Sequence, residues 1–153
     1  MIHINSFYLT SDVSVLNRNH ITVALTITNT GSKTYYMSGD VGYSRGFHGH
    51  SFELSGPSNI PCSFHSGFRS AVDPIVLENS QSITSSNLLN DICNFAVALP
   101  GTYNISFDKT IMLYDSAEQE NTTLYTHLSS SSTFDLPGVP IETIPGSLSS
   151  DDF

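Results

Sequence analysis

Between residues 21 and 28, Ile21, Val23, Leu25 and Ile27 alternate without a slip with Thr22, Ala24, Thr26 and Thr28. Strand side chains point to opposite faces with a period of two, whereas a helix repeats every 3.6 residues, so this run predicts a half-buried strand. Its β-branched side chains suit a pleated surface. Such a strand needs a second layer to cover its apolar face. Residues 99–107, Leu-Pro-Gly-Thr-Tyr-Asn-Ile-Ser-Phe, supply one candidate. They join a Pro-Gly corner to a strand whose Tyr103, Ile105 and Phe107 share one face, leaving Thr102, Asn104 and Ser106 on the wet face.

Weaker signals fill the intervals. Residues 2–10 read as a first strand, bulged because the apolar parity slips between Ile4 and Phe7. Asn29-Thr30-Gly31-Ser32 forms a turn, and a return strand starts at Thr34-Tyr35-Tyr36-Met37. Residues 51–54, 75–77 and 82–84 read as short strands, with Pro74 near a strand start, where a sheet tolerates it. Leu88, Leu89 and Ile92 carry the one helical spacing, expected as a short turn connecting two sheets. A last strand is expected over residues 122–128. The chain beyond it is Ser-, Pro- and Gly-rich and acidic, so residues 129–153 are expected to be a disordered tail following a domain of residues 1–128. About seven short strands without a βαβ rhythm predict an all-β antiparallel sandwich. An aromatic just past a Pro-Gly corner resembles the tyrosine corner of immunoglobulin-like sandwiches, which implies that fold and makes Pro100, Gly101 and Tyr103 a structural corner.

A chain of 153 residues can bury one sizeable core without staples. Charged residues make up only 12%, about half the usual share. The net charge of −9 is uneven: residues 1–109 hold all five basic side chains against seven acids, and residues 110–153 hold seven acids and no base. Nothing here would neutralise a run of phosphates, so nucleic acid and anionic membranes are disfavoured as partners. No segment is long and apolar enough to predict a membrane-spanning helix. Cys62 and Cys93 permit one disulfide closing a loop of about 30 residues, or two buried thiols, and both readings stay open. Asn104-Ile105-Ser106 and Asn121-Thr122-Thr123 are glycosylation sequons, which weigh slightly for export, while the first residues lack the pattern of a signal peptide.

His48-Gly49-His50 places two imidazoles on one side of a strand, and His65 with Glu53 would complete a zinc-ligand set. A Gly-rich loop with exposed histidines is the simpler reading. The sequence has no His-Glu-x-x-His, no Gly-x-Ser-x-Gly elbow and no phosphate-binding loop, so no enzyme and no cofactor is expected. Residues 38–67 carry six glycines among aromatic side chains. Tyr36, Tyr43, Phe47, Phe52, Phe64 and Phe68 are the candidate partner-binding residues, because aromatics supply contact area at low entropic cost.

Three blocks together resemble a known arrangement: residues 21–32 (ITVALTITNTGS), residues 72–83 (VDPIVLENSQSI) and residues 99–107 (LPGTYNISF). In this order they are similar to the β-sandwich that precedes the catalytic domain in deuterolysin-type and peptidyl-Lys metalloendopeptidases. The match spans about 100 residues in scattered blocks, and Asn79 stands where that family's turn carries glycine. The resemblance implies a non-catalytic companion, prodomain-like or inhibitor-like module whose protein partner is a metallopeptidase. Two alternatives remain: a structural or surface-interaction protein with the acidic tail as spacer or docking peptide, and a small metal-binding protein or enzyme using His48, His50 and His65.

Overall fold

The computed structural model describes residues 2–37, 51–63, 75–115 and 124–139. Within them lie strands β1 (Ile2–His3), β2 (Phe7–Asn17), β3 (His20–Asn29), β4 (Tyr35–Met37), β5 (Ser51–Ser55), β6 (Ile75–Leu77), β7 (Ser82–Leu88), β8 (Gly101–Leu113) and β9 (Leu124–Leu136). Among the described residues a single 3-10 turn, Leu89–Asp91, carries the chain from β7 toward β8, and so from one layer to the other. One layer runs β2-β3-β7, all antiparallel. The other runs β1-β9-β8-β5, antiparallel except for the β1 and β9 pair. A short β4 and β6 pair is tied to the end of β8 by reciprocal backbone bonds between Tyr36 and Tyr114, both 2.8 Å. This is an all-β sandwich, and its order matches the A-B-E and C-F-G layers of the immunoglobulin-like arrangement.

The alternation in β3 decides which face is inside. Ile21, Val23, Leu25 and Ile27 are buried, and they share one core with Tyr103, Ile105, Phe107, Ile111 and Leu113 of β8 and with Leu128, Phe134 and Leu136 of β9. On the outer face Thr26 and Thr28 meet Thr84 and Ser82 across the ladder, with hydroxyl contacts of 2.9 and 2.7 Å.

Two sequence expectations need correction. The parity slip between Ile4 and Phe7 is a change of sheet, not a bulge. Ile4 still donates its amide to Tyr125 of β9 (2.8 Å), and by Phe7 the chain has joined β3. The serine run 129–132, assigned to a tail, lies inside β9, which extends to Leu136. Serine is required there by proximity. Ser130 and Ser132 sit at inward positions where β2 closes against β9, and Ser11 faces them from β2. The Ser132 hydroxyl donates to the Ser11 carbonyl (2.7 Å), so Ser11 Oγ must donate to Ser132 Oγ (2.6 Å) and accept from Ser130 Oγ (2.8 Å). Leucine at these positions would hold the layers apart. Residues 140–153 of the expected tail lie outside the described residues.

The expected corner is present. The Tyr103 hydroxyl donates to the Leu99 carbonyl (2.7 Å) and accepts from Ser58 Oγ (2.7 Å), whose oxygen accepts the Leu99 amide (3.0 Å). The ring stacks on Phe134, centroids 5.9 Å apart, and its other side abuts Gly56 so closely that a Cβ there would lie 2.2 Å from the ring. Gly101 has φ +137°, a conformation that favours glycine. Tyr103→Phe keeps the packing and leaves the Leu99 carbonyl and Ser58 without their buried partner. It should cost about 1–3 kcal/mol in urea unfolding, with the native far-ultraviolet spectrum unchanged.

At the opposite end, Asn29-Thr30-Gly31 is a second structural knot. The buried Asn29 amide donates to the carbonyls of Lys33 (2.8 Å) and Leu77 (2.9 Å) and accepts the Gly31 amide (2.9 Å). Thr30 donates both its amide and its hydroxyl to Ser6. The motif therefore ties the end of β3 to β6 and to the β1 to β2 crossover.

Candidate functional site

The clearest candidate among the described residues is the end of the sandwich formed by the β2 to β3 hairpin, the corner before β8 and the exit from β9. Three short segments meet there: 16–19, 95–99 and 137–139. They are held by Arg18, a guanidinium only 7% exposed. Its Nη1 donates to the carbonyls of Ala98 (3.1 Å) and Pro137 (3.2 Å), and its Nη2 donates to Phe95 (3.1 Å) and again to Ala98. The local reason is the tight hairpin, which turns Arg18 back beneath itself. Asn90 fixes that turn by donating to the Arg18 carbonyl (2.9 Å) and accepting the Ile21 amide (2.7 Å).

On the three segments that meet at this buried cation, four aliphatic side chains are exposed. Leu16 is 77% exposed, Val97 87%, Leu99 55% and Val139 63%. Single exposed aliphatic residues need no explanation; these four stand on the three segments that meet at this end, which makes it the candidate for an interaction surface. Leu16, Asn17, Arg18 and Asn19 form one wall of a groove of about 610 Å³, and Pro137, Gly138 and Val139 line it with Ala96. None of residues 16–19 was singled out from the sequence; the one local signal is a large aliphatic residue, Leu16, beside the polar Asn17-Arg18-Asn19. Its significance needs the three segments brought together.

The residues singled out from the sequence fall differently. Tyr36 and Phe52 are half-buried framework: Tyr36 bridges to Tyr114, and the Phe52 ring packs on Phe107 with centroids 5.7 Å apart. Tyr43, Phe47, Phe64 and Phe68, the histidines His48, His50 and His65, and Asn121 lie outside the described residues. Asn104 projects from the outer face of β8, and its side-chain amide donates to Ser131 Oγ (3.0 Å). Cys62 and Cys93 are joined in a disulfide. Two backbone bonds flank it, Ser63 to Ile92 (2.8 Å) and Asn94 to Pro61 (2.9 Å), pinning residues 61–63 under the 3-10 turn.

Among the described residues no three His, Cys, Asp or Glu side chains converge to hold a metal. The one ionic contact recorded there is His127 Nε2 to Asp108 Oδ1 (2.7 Å), with Thr110 Oγ1 3.0 Å from His127 Nδ1. These three side chains stand on the open outer face of β8 and β9, where solvent competes for each of them. No helix of the described chain is long and apolar enough to cross a membrane. No family model and no curated protein matches this chain.

Proposed function

We propose that this chain is a non-catalytic protein-binding module, a companion or inhibitor-like domain whose partner is a metallopeptidase. The observation that carries the binding reading is the exposed set Leu16, Val97, Leu99 and Val139 around the buried Arg18. Apolar area of this kind lowers solubility unless a partner covers it, and it sits on segments held rigidly by Arg18 and Tyr103. The choice of a peptidase rests on the resemblance of residues 21–32, 72–83 and 99–107 to the sandwich that precedes metalloendopeptidase catalytic domains. In this structure those blocks form β3 with its Asn29 knot, the β6 to β7 turn, and the tyrosine corner. They account for the framework, which leaves the recognition surface to be supplied by the ends.

The expected result is association with a zinc metalloendopeptidase at micromolar concentration or tighter, measured by calorimetry with the purified chain. Val97→Asp and Leu99→Asp place charge on side chains that are already exposed, so stability should change by no more than about 0.5 kcal/mol. Each should weaken association by about tenfold or more. No binding across a panel of such peptidases counts against the partner. Binding that neither substitution weakens moves the interface to residues 38–69.

A surface-interaction protein docking through its acidic C-terminal residues is the second reading, favoured by the absence of any Lys or Arg after residue 109. A chain ending at Val139 separates the two, since it keeps β9 whole. Partner binding lost on that truncation supports the second reading.

A further inference from the structure

One motif of the sequence plays no part in the binding reading: Asn104-Ile105-Ser106, an acceptor sequence for an N-linked glycan. The fold decides whether such a motif is usable, because a strand sends alternate side chains to opposite faces. Tyr103, Ile105 and Phe107 of β8 are buried in the core, so Asn104 and Ser106 both point out of the sandwich. β8 runs between β5 and β9, and the residues opposite Asn104 are Ser55 and Thr133, both small and both exposed. The Asn104 side-chain amide donates to Ser131 Oγ (3.0 Å), another exposed residue. A groove of about 530 Å³ opens beside this pair, with Glu53, Ser106, Asp108, Ser129 and Ser131 in its lining. The sheet around Asn104 is therefore low and polar, which leaves room for sugar rings and offers groups that suit their hydroxyls.

The disulfide between Cys62 and Cys93 points the same way by separate chemistry. Such bonds form and persist in oxidising compartments, and the secretory route that supplies them is also where asparagine acceptors are modified.

We propose that Asn104 carries an N-linked oligosaccharide, which lies over the outer face of β5, β8 and β9. In the transfer, Asn104 Nδ2 loses one proton and bonds to C1 of the first sugar of a lipid-pyrophosphate-linked oligosaccharide. The bond between C1 and the pyrophosphate oxygen breaks, and the lipid pyrophosphate leaves with its electron pair. The modified Nδ2 keeps one N–H, so its bond to Ser131 Oγ survives. A glycan on this face closes it to a protein partner, and this holds whether or not that partner is a peptidase.

The test expresses the full chain behind a cleavable secretion signal in a eukaryotic cell and maps modified peptides by mass spectrometry, with Asn104→Gln and Ser106→Ala in parallel. The secreted chain should carry an oligosaccharide on the peptide that holds Asn104. Ser106→Ala should abolish it while leaving the asparagine in place, a loss that a purely structural role of Asn104 would not produce. Both substitutions fall on the outer face, so both variants should keep the native far-ultraviolet spectrum and the disulfide. A secreted, disulfide-bonded chain with Asn104 bare overturns the proposal, and so does an oligosaccharide found on Asn121 alone. Modification that survives Ser106→Ala removes the acceptor motif as its cause and counts the same way. The modified chain and the same chain stripped by an endoglycosidase to its first sugar should share one spectrum and one disulfide. If the modified chain lacks the disulfide or the native spectrum, the sandwich does not accommodate a glycan at this position and the proposal falls.

Discussion

Replacing Arg18 with leucine is expected to lower the unfolding free energy by about 3 kcal/mol or more. Leucine fills part of the same space but donates nothing, so the carbonyls of Phe95, Ala98 and Pro137 lose their shared partner together. Each buried acceptor left unpaired costs about 1–3 kcal/mol, reduced where water enters from the groove. The loss should appear in urea unfolding as a lower midpoint with an unchanged slope, since the same surface is exposed on unfolding. Arg18→Lys should recover only part of it. An ammonium carries the charge, yet it is a single point and cannot span three carbonyls from one planar fork. A leucine variant as stable as the parent would mean that the three segments are held by packing alone, and Arg18 would lose its place as the organiser of that end.

The second large effect is expected from the disulfide. Cys62 and Cys93 are 31 residues apart, and closing a loop of that length removes unfolded-state entropy worth about 3–4 kcal/mol. Cys62→Ser with Cys93→Ser should lower stability by that amount, and a reducing agent should reproduce the effect in the parent protein without affecting the double variant. Residues 61–63 and 92–94 should be the first to lose amide protection, because the two backbone bonds that flank the bridge would then have to hold that connection unaided. Equal midpoints with and without reductant would show that the cross-link adds nothing to stability.

Much of the architecture can be read from local pattern. The alternation in residues 21–28 identifies a half-buried strand because period two is incompatible with a helix, and Pro100-Gly101 followed by Tyr103 identifies a corner because few side chains tolerate that geometry. The limits are equally specific. β2 continues through Ser11 and Asp12 to Asn17, beyond the expected end at residue 10, because Leu9, Ser11, Val13 and Val15 keep one parity with a serine in a core position. Ser129 to Ser132 of β9 read as part of a tail for the same reason. Composition cannot distinguish a serine placed for solvent from one placed because another strand passes close by.

The candidate site was less legible than the fold. Leu16, Arg18, Val97, Leu99 and Val139 are scattered over more than 120 residues, and only Leu99 belongs to a motif, the corner block of residues 99–107. An arginine at a hairpin tip reads as a solvated charge. It becomes a buried tie only because the hairpin of β2 and β3 meets the corner before β8 and the exit of β9.

By itself, then, the sequence determined the half-buried strand over residues 21–28, the turn at Asn29, the corner at Tyr103 and the sandwich class, since each depends on periodicity or turn chemistry within a few residues. The tertiary structure decided which cysteines meet, why serine lies between β2 and β9, and how Arg18 comes to be buried where three distant segments meet. Those are contacts between residues 31 to 121 positions apart, and local pattern carries no information about which distant partner a side chain will find.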